Sequence, residues 1–160
     1  MSWLLIIFVI SVVLSPLMWF KQSPRQRHIG ELRSDALQYN LQVSLHRRPD
    51  ARDSDTRLDA VCYQMRFKGL TLQDPWVIHR HSTRGWSSNW RSWNWFGAEA
   101  KPCWHSVLNE ILINVPRGIT AIIVKKDSVG MIWDEAGTSD ELRLIADYLD
   151  QLTVCAKNNC

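Results

Sequence analysis

Residues 3 to 20, WLLIIFVISVVLSPLMWF, form an apolar run without a single charged side chain. At 1.5 Å rise per residue the run makes a helix of roughly 27 Å, close to the ~30 Å hydrocarbon core, and it reads as a transmembrane helix. Pro16 cannot donate to the carbonyl of Val12, which predicts a bend there. Ser23-Pro24-Arg25-Gln26 then carries a cap, a proline at the first helical position and a capping-box glutamine, so residues 21–40 read as a basic juxtamembrane helix. Its apolar face is Ile29, Leu32, Ala36 and Tyr39, and Asn40 supplies a left-handed stop.

Beyond that point the period changes from that of a helix to that of a strand. Leu41, Val43 and Leu45 alternate with Gln42 and Ser44, His46 to Asp59 is polar and turn-rich, and Val61, Tyr63, Met65 and Phe67 alternate with polar neighbours until Gly69. Trp76 to His81 reads as the antiparallel neighbour of that strand. From Pro102 the apolar spacing is helical again, with Val107, Leu108, Ile111 and Leu112 on one side and Pro116 closing the segment. Ile119 to Lys125, a turn at Asp127 to Gly130, and Met131 to Asp134 form a hairpin. Thr138-Ser139-Asp140-Glu141 opens a last helix with Leu142, Ile145, Ala146, Leu149 and Leu152 as its buried stripe, and a disordered tail is expected over 154–160.

Hairpins interrupted by helices, without a βαβ rhythm, define an α+β class: a transmembrane helix over 3–20 followed by one soluble domain over 41–153. That domain is a small antiparallel sheet of roughly four or five strands with helices packed on one face. A chain of 160 residues leaves room for one such domain beside the anchor. Gly118, Gly130 and Gly137 lack the spacing of a phosphate-binding loop.

Charge and flanking residues place the expected anchor. Trp3 and Trp19 bracket it as membrane-interface residues, and Lys21, Arg25 and Arg27 follow it while nothing basic precedes it. The implied arrangement is a single-pass protein of a bacterial inner membrane, with the N-terminus outside and the domain in the cytoplasm. The absence of a basic n-region and of a small-x-small site argues against a cleaved leader. Lys21 to Arg57 holds eight basic residues against five acidic, which suits a bilayer surface better than nucleic acid. Cys62, Cys103, Cys155 and Cys160 show no close pair and no disulfide framework.

The junction LMWFKQSPRQRHIGEL resembles the start of YajC, the single-pass auxiliary subunit of the bacterial preprotein translocase. The likeness lies mainly in residues 1–40, and the Gly- and Val-rich strand motif of that family does not follow Leu41. With PRQR after the apolar run, a Trp-rich middle and IWDEAG before the last helix, the chain looks like uncharacterised bacterial single-pass proteins labelled YajC-like. No function is carried across on this resemblance.

Two patches carry candidate chemistry. Trp86, Trp90, Trp93 and Trp95 fall within ten residues together with Arg91. Their rings suit stacking on sugars, bases or a partner's arginine, and equally a sheet core or a bilayer surface. His79, His81, Cys103 and His105 form two i, i+2 pairs of zinc donors, either for a zinc-dependent enzyme or for a zinc-stabilised domain. The acids at Asp134, Glu135, Asp140 and Glu141 are explained by a turn and a helix N-terminus, and no catalytic residue or other cofactor is assigned. The expected function is therefore a membrane-anchored accessory or protein-interaction domain, with zinc chemistry and a Trp-lined binding module as alternatives.

Overall fold

A computed structural model describes residues 2–19 and 23–159, with the backbone alone at 2, 5, 13–19 and 159. Phe20 and Lys21, assigned above to the anchor and its flank, lie outside the described residues. The chain divides into two compact units, Met1–Glu31 and Leu32–Cys160.

The first unit holds helix α1 (Ser2–Trp19) and the start of α2 (Pro24–Gln38). The expected capping box forms: the Ser23 amide donates to Gln26 Oε1 at 3.1 Å and the Gln26 amide to Ser23 Oγ at 3.2 Å. Arg25 and Arg27 lie exposed on α2, Arg27 paired with Glu31 at 3.1 Å. Trp3 is exposed as well, beside Leu4, Ile7 and Phe8. The transmembrane expectation is corrected, because among the described residues no helix is long and apolar enough to cross a membrane. The helical run is 18 residues. That is about 27 Å against a core of about 30 Å, and Ser2, Ser11, Ser15 and Pro16 dilute its apolar content. The single-pass, inner-membrane placement with a cytoplasmic domain falls with it. Cys103 is disulfide-bonded, although the cysteine spacing showed no close pair.

In the second unit the end of α2 forms a Schellman stop. Asn40 takes φ 56°, its amide donates to the Leu37 carbonyl, and the Leu41 amide donates to the Ala36 carbonyl. Ala36 and Leu41 are both buried, supplying the apolar contact of that motif. The chain then enters a seven-stranded sheet of order β1-β2-β7-β6-β3-β5-β4. The strands are β1 (Gln42–His46), β2 (Ala60–Arg66), β3 (Trp76–His79), β4 (Trp86–Ser87), β5 (Asn94–Phe96), β6 (Ile119–Val124) and β7 (Ser128–Trp133). Every pairing is antiparallel, as expected for an α+β fold. The neighbours of β2 are β1 and β7, whereas β3 lies between β6 and β5. The expected β2–β3 hairpin is displaced because the β6–β7 hairpin inserts between them.

Helix α3 (His105–Asn114) and helix α4 (Ser139–Asn159) share one core with Leu32 and Ala36 and with Tyr63, Trp76, Ile78, Trp95, Ile122, Met131 and Trp133 of the sheet. The alternate strand residues, Ala60, Cys62, Ala121, Ile123 and Ile132, form a separate smaller cluster on the opposite face. Gly130 marks how tightly β7 meets β2 there, since a Cβ at this position would sit 2.6 Å from Cys62 Sγ. The tail expected to be disordered is instead the end of α4, where Cys155 and Ala156 continue the buried stripe.

Candidate functional site

The tryptophan segment is mostly interior. Trp93 and Trp95 are 4% and 1% exposed, and Trp95 meets Trp76 edge-on at 5.8 Å between centroids. Trp90 is half-buried; its Nε1–H donates to Asn109 Oδ1 at 2.7 Å and its ring meets Trp95 and His105 edge-on. Of the five candidate residues only Trp86 and Arg91 are exposed. Arg80, not Arg91, stacks on Trp93, 5.0 Å from the ring centroid. The four rings therefore do not form a shared open platform.

The expected zinc donors do not converge. His79 follows Ile78 on β3 and pairs with Ala121, which puts it on the small-cluster face, with His81 stacked beside it at 6.1 Å. Cys103 packs against the main core on the other face, and His105 meets Trp90 there. The sheet separates the two pairs, and the disulfide at Cys103 takes its sulfur out of metal chemistry. No group of three or more His, Cys, Asp or Glu able to hold a metal occurs among the described residues.

What the small-cluster face holds is a stacked pair of imidazoles, His79 and His81. His79 is fully buried, and its Nε2–H donates to the Arg84 carbonyl at 3.0 Å, because a carbonyl only accepts. This fixes the tautomer and leaves Nδ1 as a buried acceptor without a partner; Nε2 of His81 is likewise buried and unpartnered. Arg84 reaches across to the carbonyls of Asp50 and Ala51 at 2.8 and 2.6 Å, and Arg48 grips the Asp50 carboxylate with two bonds of 3.0 and 2.9 Å. The 47–59 loop is thereby pinned beside the histidines. Burial lowers the pKa of both His79 and His81, with Asp50 pulling the other way and Arg48 adding to the lowering. His46 is lowered by burial and by Lys125, whose Nζ lies 3.4 Å from its Nε2. For Asp50, burial raises the carboxyl, but hydrogen bonds from Ser82 and Arg48 outweigh it and hold it below the usual range.

A pH dependence follows with a definite sign. The three imidazoles bind protons less readily folded than unfolded, so their contribution is complete above about pH 6.5 and is lost as pH falls through their folded values. The urea midpoint of the intact chain is expected to be level from pH 8 to 7 and to fall between pH 6.5 and 5. The fall should be shallower in His79→Gln/His81→Gln. A midpoint unchanged down to pH 5 contradicts the assignment.

A second buried polar group joins the end of α2 to the sheet. Glu135, 4% exposed and at φ 56°, receives a two-pronged bond from Arg33, Nε to Oε1 and Nη2 to Oε2, both at 2.7 Å. The Tyr63 hydroxyl donates to Oε1 at 2.8 Å. The Glu135 hydrogen bond raises the Arg33 pKa, and burial followed by Glu135 raises that of Tyr63. In the sequence Arg33 falls within the basic helix expected over 21–40, and Glu135 is explained by a turn. Their separation of 102 residues left no local signal.

A cleft of about 510 Å³ lies between the start of the sheet and α4. Its floor includes Met65, Ala146 and the buried Thr153, whose hydroxyl donates to the Leu149 carbonyl at 2.8 Å. Lys68 and Lys157 lie in its wall with Asp147 and Asp150, and none of these four joins an ion pair among the described residues. Arg66 lies there too, its Nε held by Gln42 Oε1 at 3.1 Å, and Tyr39 closes the end. These residues read in sequence as wet strand and helix positions and were missed for that reason. A smaller opening of about 330 Å³ adjoins His81, Asp59, Thr120 and Asp134. Cys62 is no nucleophile in this setting: it is fully buried, and burial pushes its thiol up to about 12.

No protein-family model, curated protein or solved structure matches the chain.

Proposed function

We propose that residues 32–160 act as a binding module for a partner protein, an accessory role rather than a catalytic one, with the 510 Å³ cleft as the docking site. The observation that carries this reading is the set of charges of both signs that join no ion pair among the described residues, Lys68 and Lys157 with Asp147 and Asp150, around Met65 and Ala146. Charges that fold without partners inside the protein are available for pairing across an interface, where they set orientation and suppress wrong partners. The volume falls in the range of sites that enclose a ligand or a few side chains, roughly 300–1,000 Å³. A partner segment that carries an acid and a base flanking an apolar side chain matches this lining.

The test places a benzoylphenylalanine cross-linker at Tyr39 of the intact chain in its own cells, with Ile113, exposed on α3, as control. A discrete adduct to a different protein is expected from position 39 only. It should fall at least roughly tenfold in Lys68→Glu/Lys157→Glu, since reversing rim charges slows encounter and places like charges together. Absence of an adduct, or an adduct indifferent to the charge reversal, sinks the proposal.

A further inference from the structure

The two edges of the sheet are protected very differently. At one end β4 is only two residues long, a common way of blunting an edge. At the other, β1 has five residues, Gln42-Val43-Ser44-Leu45-His46, with no Lys, Arg or Pro and no bulge in its register with β2. Among the described residues nothing pairs with its outer side. Its outward N–H and C=O groups form a template for a further strand. The apolar side chains point to the same place. Of the seven large hydrophobic residues exposed in this unit, Leu37, Tyr39, Leu45 and Leu58 lie on β1 or on the segments leading into β1 and β2, while Trp86, Ile113 and Val154 are dispersed. Exposed apolar groups gathered along one edge mark an interaction surface.

We infer that the occupant is β1 of a second copy of this chain, paired antiparallel about a two-fold axis at Ser44. In that register Val43 lies opposite Leu45 of the second copy, Gln42 opposite His46, and Ser44 opposite Ser44. Val43 and Leu45 pair within the chain with Tyr63 and Val61, and Tyr63 and Val61 belong to or pack on the main core, so the new apolar pairs form on the helix-bearing face. This is the face from which α2 contributes Leu32 and Ala36, next to the exposed Leu37. Ser44, on the axis, is small enough to face its own copy, since directly opposed residues in an antiparallel pair have Cβ atoms about 4.5–5.5 Å apart. Arg47 and Arg48 fall beyond the paired segment, opposite Leu41 and Asn40, so no like charges face each other. The contact is isologous and closes after two copies.

This surface adjoins the partner-binding cleft and shares Tyr39, Asn40 and Gln42 with it, but its test reads a different product. Benzoylphenylalanine at Leu45 of the intact chain should give a self-adduct of twice the 18.6 kDa chain mass, with the cross-link mapped by mass spectrometry to residues 41–45 of the second copy. The same group at Ile113 should give none. Leu45→Lys, and separately Leu37→Lys, should weaken self-association at least roughly tenfold while leaving the thermal midpoint within a few degrees, because both side chains are exposed in one copy. The inference is overturned by a chain that is monomeric at tens of micromolar, by self-association that leaves position 45 uncross-linked, by an adduct from position 45 to another protein, or by dimers that both lysine variants leave intact.

Discussion

Trp76→Ala is expected to cost about 3–5 kcal/mol of folding free energy, the largest loss of any single truncation considered for this protein. Trp76 sits on β3 in the middle of the main core, 1% exposed, and is met edge-on by Trp95 at 5.8 Å and by Trp104 at 5.2 Å. Removing the indole leaves a cavity bounded by two rings that are themselves held, Trp95 by β5 and Trp104 by the turn at Pro102–Trp104, so the site relaxes poorly. The edge-to-face geometry adds about 0.5–1.5 kcal/mol per pair beyond the area buried. One term opposes: the buried Trp76 Nε1–H has no acceptor, so its loss is no penalty. Urea denaturation followed by circular dichroism measures the difference. Trp86→Ala, at a residue 43% exposed, is the comparison and should cost under about 1 kcal/mol. Equal losses at the two positions contradict the assignment of the tryptophan segment to the core.

Arg33→Ala is expected to be the second most damaging change, at about 2–3 kcal/mol. Breaking a buried pair by removing one partner commonly costs about 3–5 kcal/mol, because the remaining charge is stranded. The figure is lowered here because the Arg33 side chain is 44% exposed, so water replaces part of what the guanidinium supplied to Glu135. Tyr63 remains as a single donor. Arg33→Ala/Glu135→Gln should lose less than the two single losses added together, since the double variant buries no unpaired charge. Losses that add without coupling rule out the fork as the contact that ties the end of α2 to the sheet.

Several elements were legible because their causes are local. The Ser23–Gln26 box, the Asn40 stop and the β2 alternation each depend on residues within a few positions of one another, and each appears where the sequence places it. Thr138 also caps as expected, its Oγ1 accepting from the Glu141 amide at 3.4 Å. The end of α4 was missed for a physical reason. Val154 to Asn159 has weak helix signals alone, but Cys155 and Ala156 extend the stripe of Leu149 and Leu152 against the same core, and packing overrides propensity.

Of the candidate sites, the residue types were legible and the groupings were not. His79 and His81 do share a face, as i, i+2 positions on a strand must, but their alliance with Cys103 and His105 needed the two pairs on one side of the sheet. Likewise, four tryptophans close in sequence look like one patch, whereas Trp93 and Trp95 are buried in the core and Trp86, opposite Trp95 on the two-residue edge strand, stays exposed. The cleft charges are spread from Arg66 to Lys157 and carry no spacing that sequence alone can read.

The sequence by itself determined the α+β class, the starts of α2 and α4, the stop of α2, and the in-and-out alternation of the strands, because hydrogen-bond capping and side-chain periodicity act over a few residues. Only the tertiary structure decided the strand order, the Arg33–Glu135–Tyr63 group, the burial of the tryptophans and the two clefts. Each of these depends on which distant surfaces exclude water together. That choice is made by the packing of the whole unit and is written in no single stretch of it.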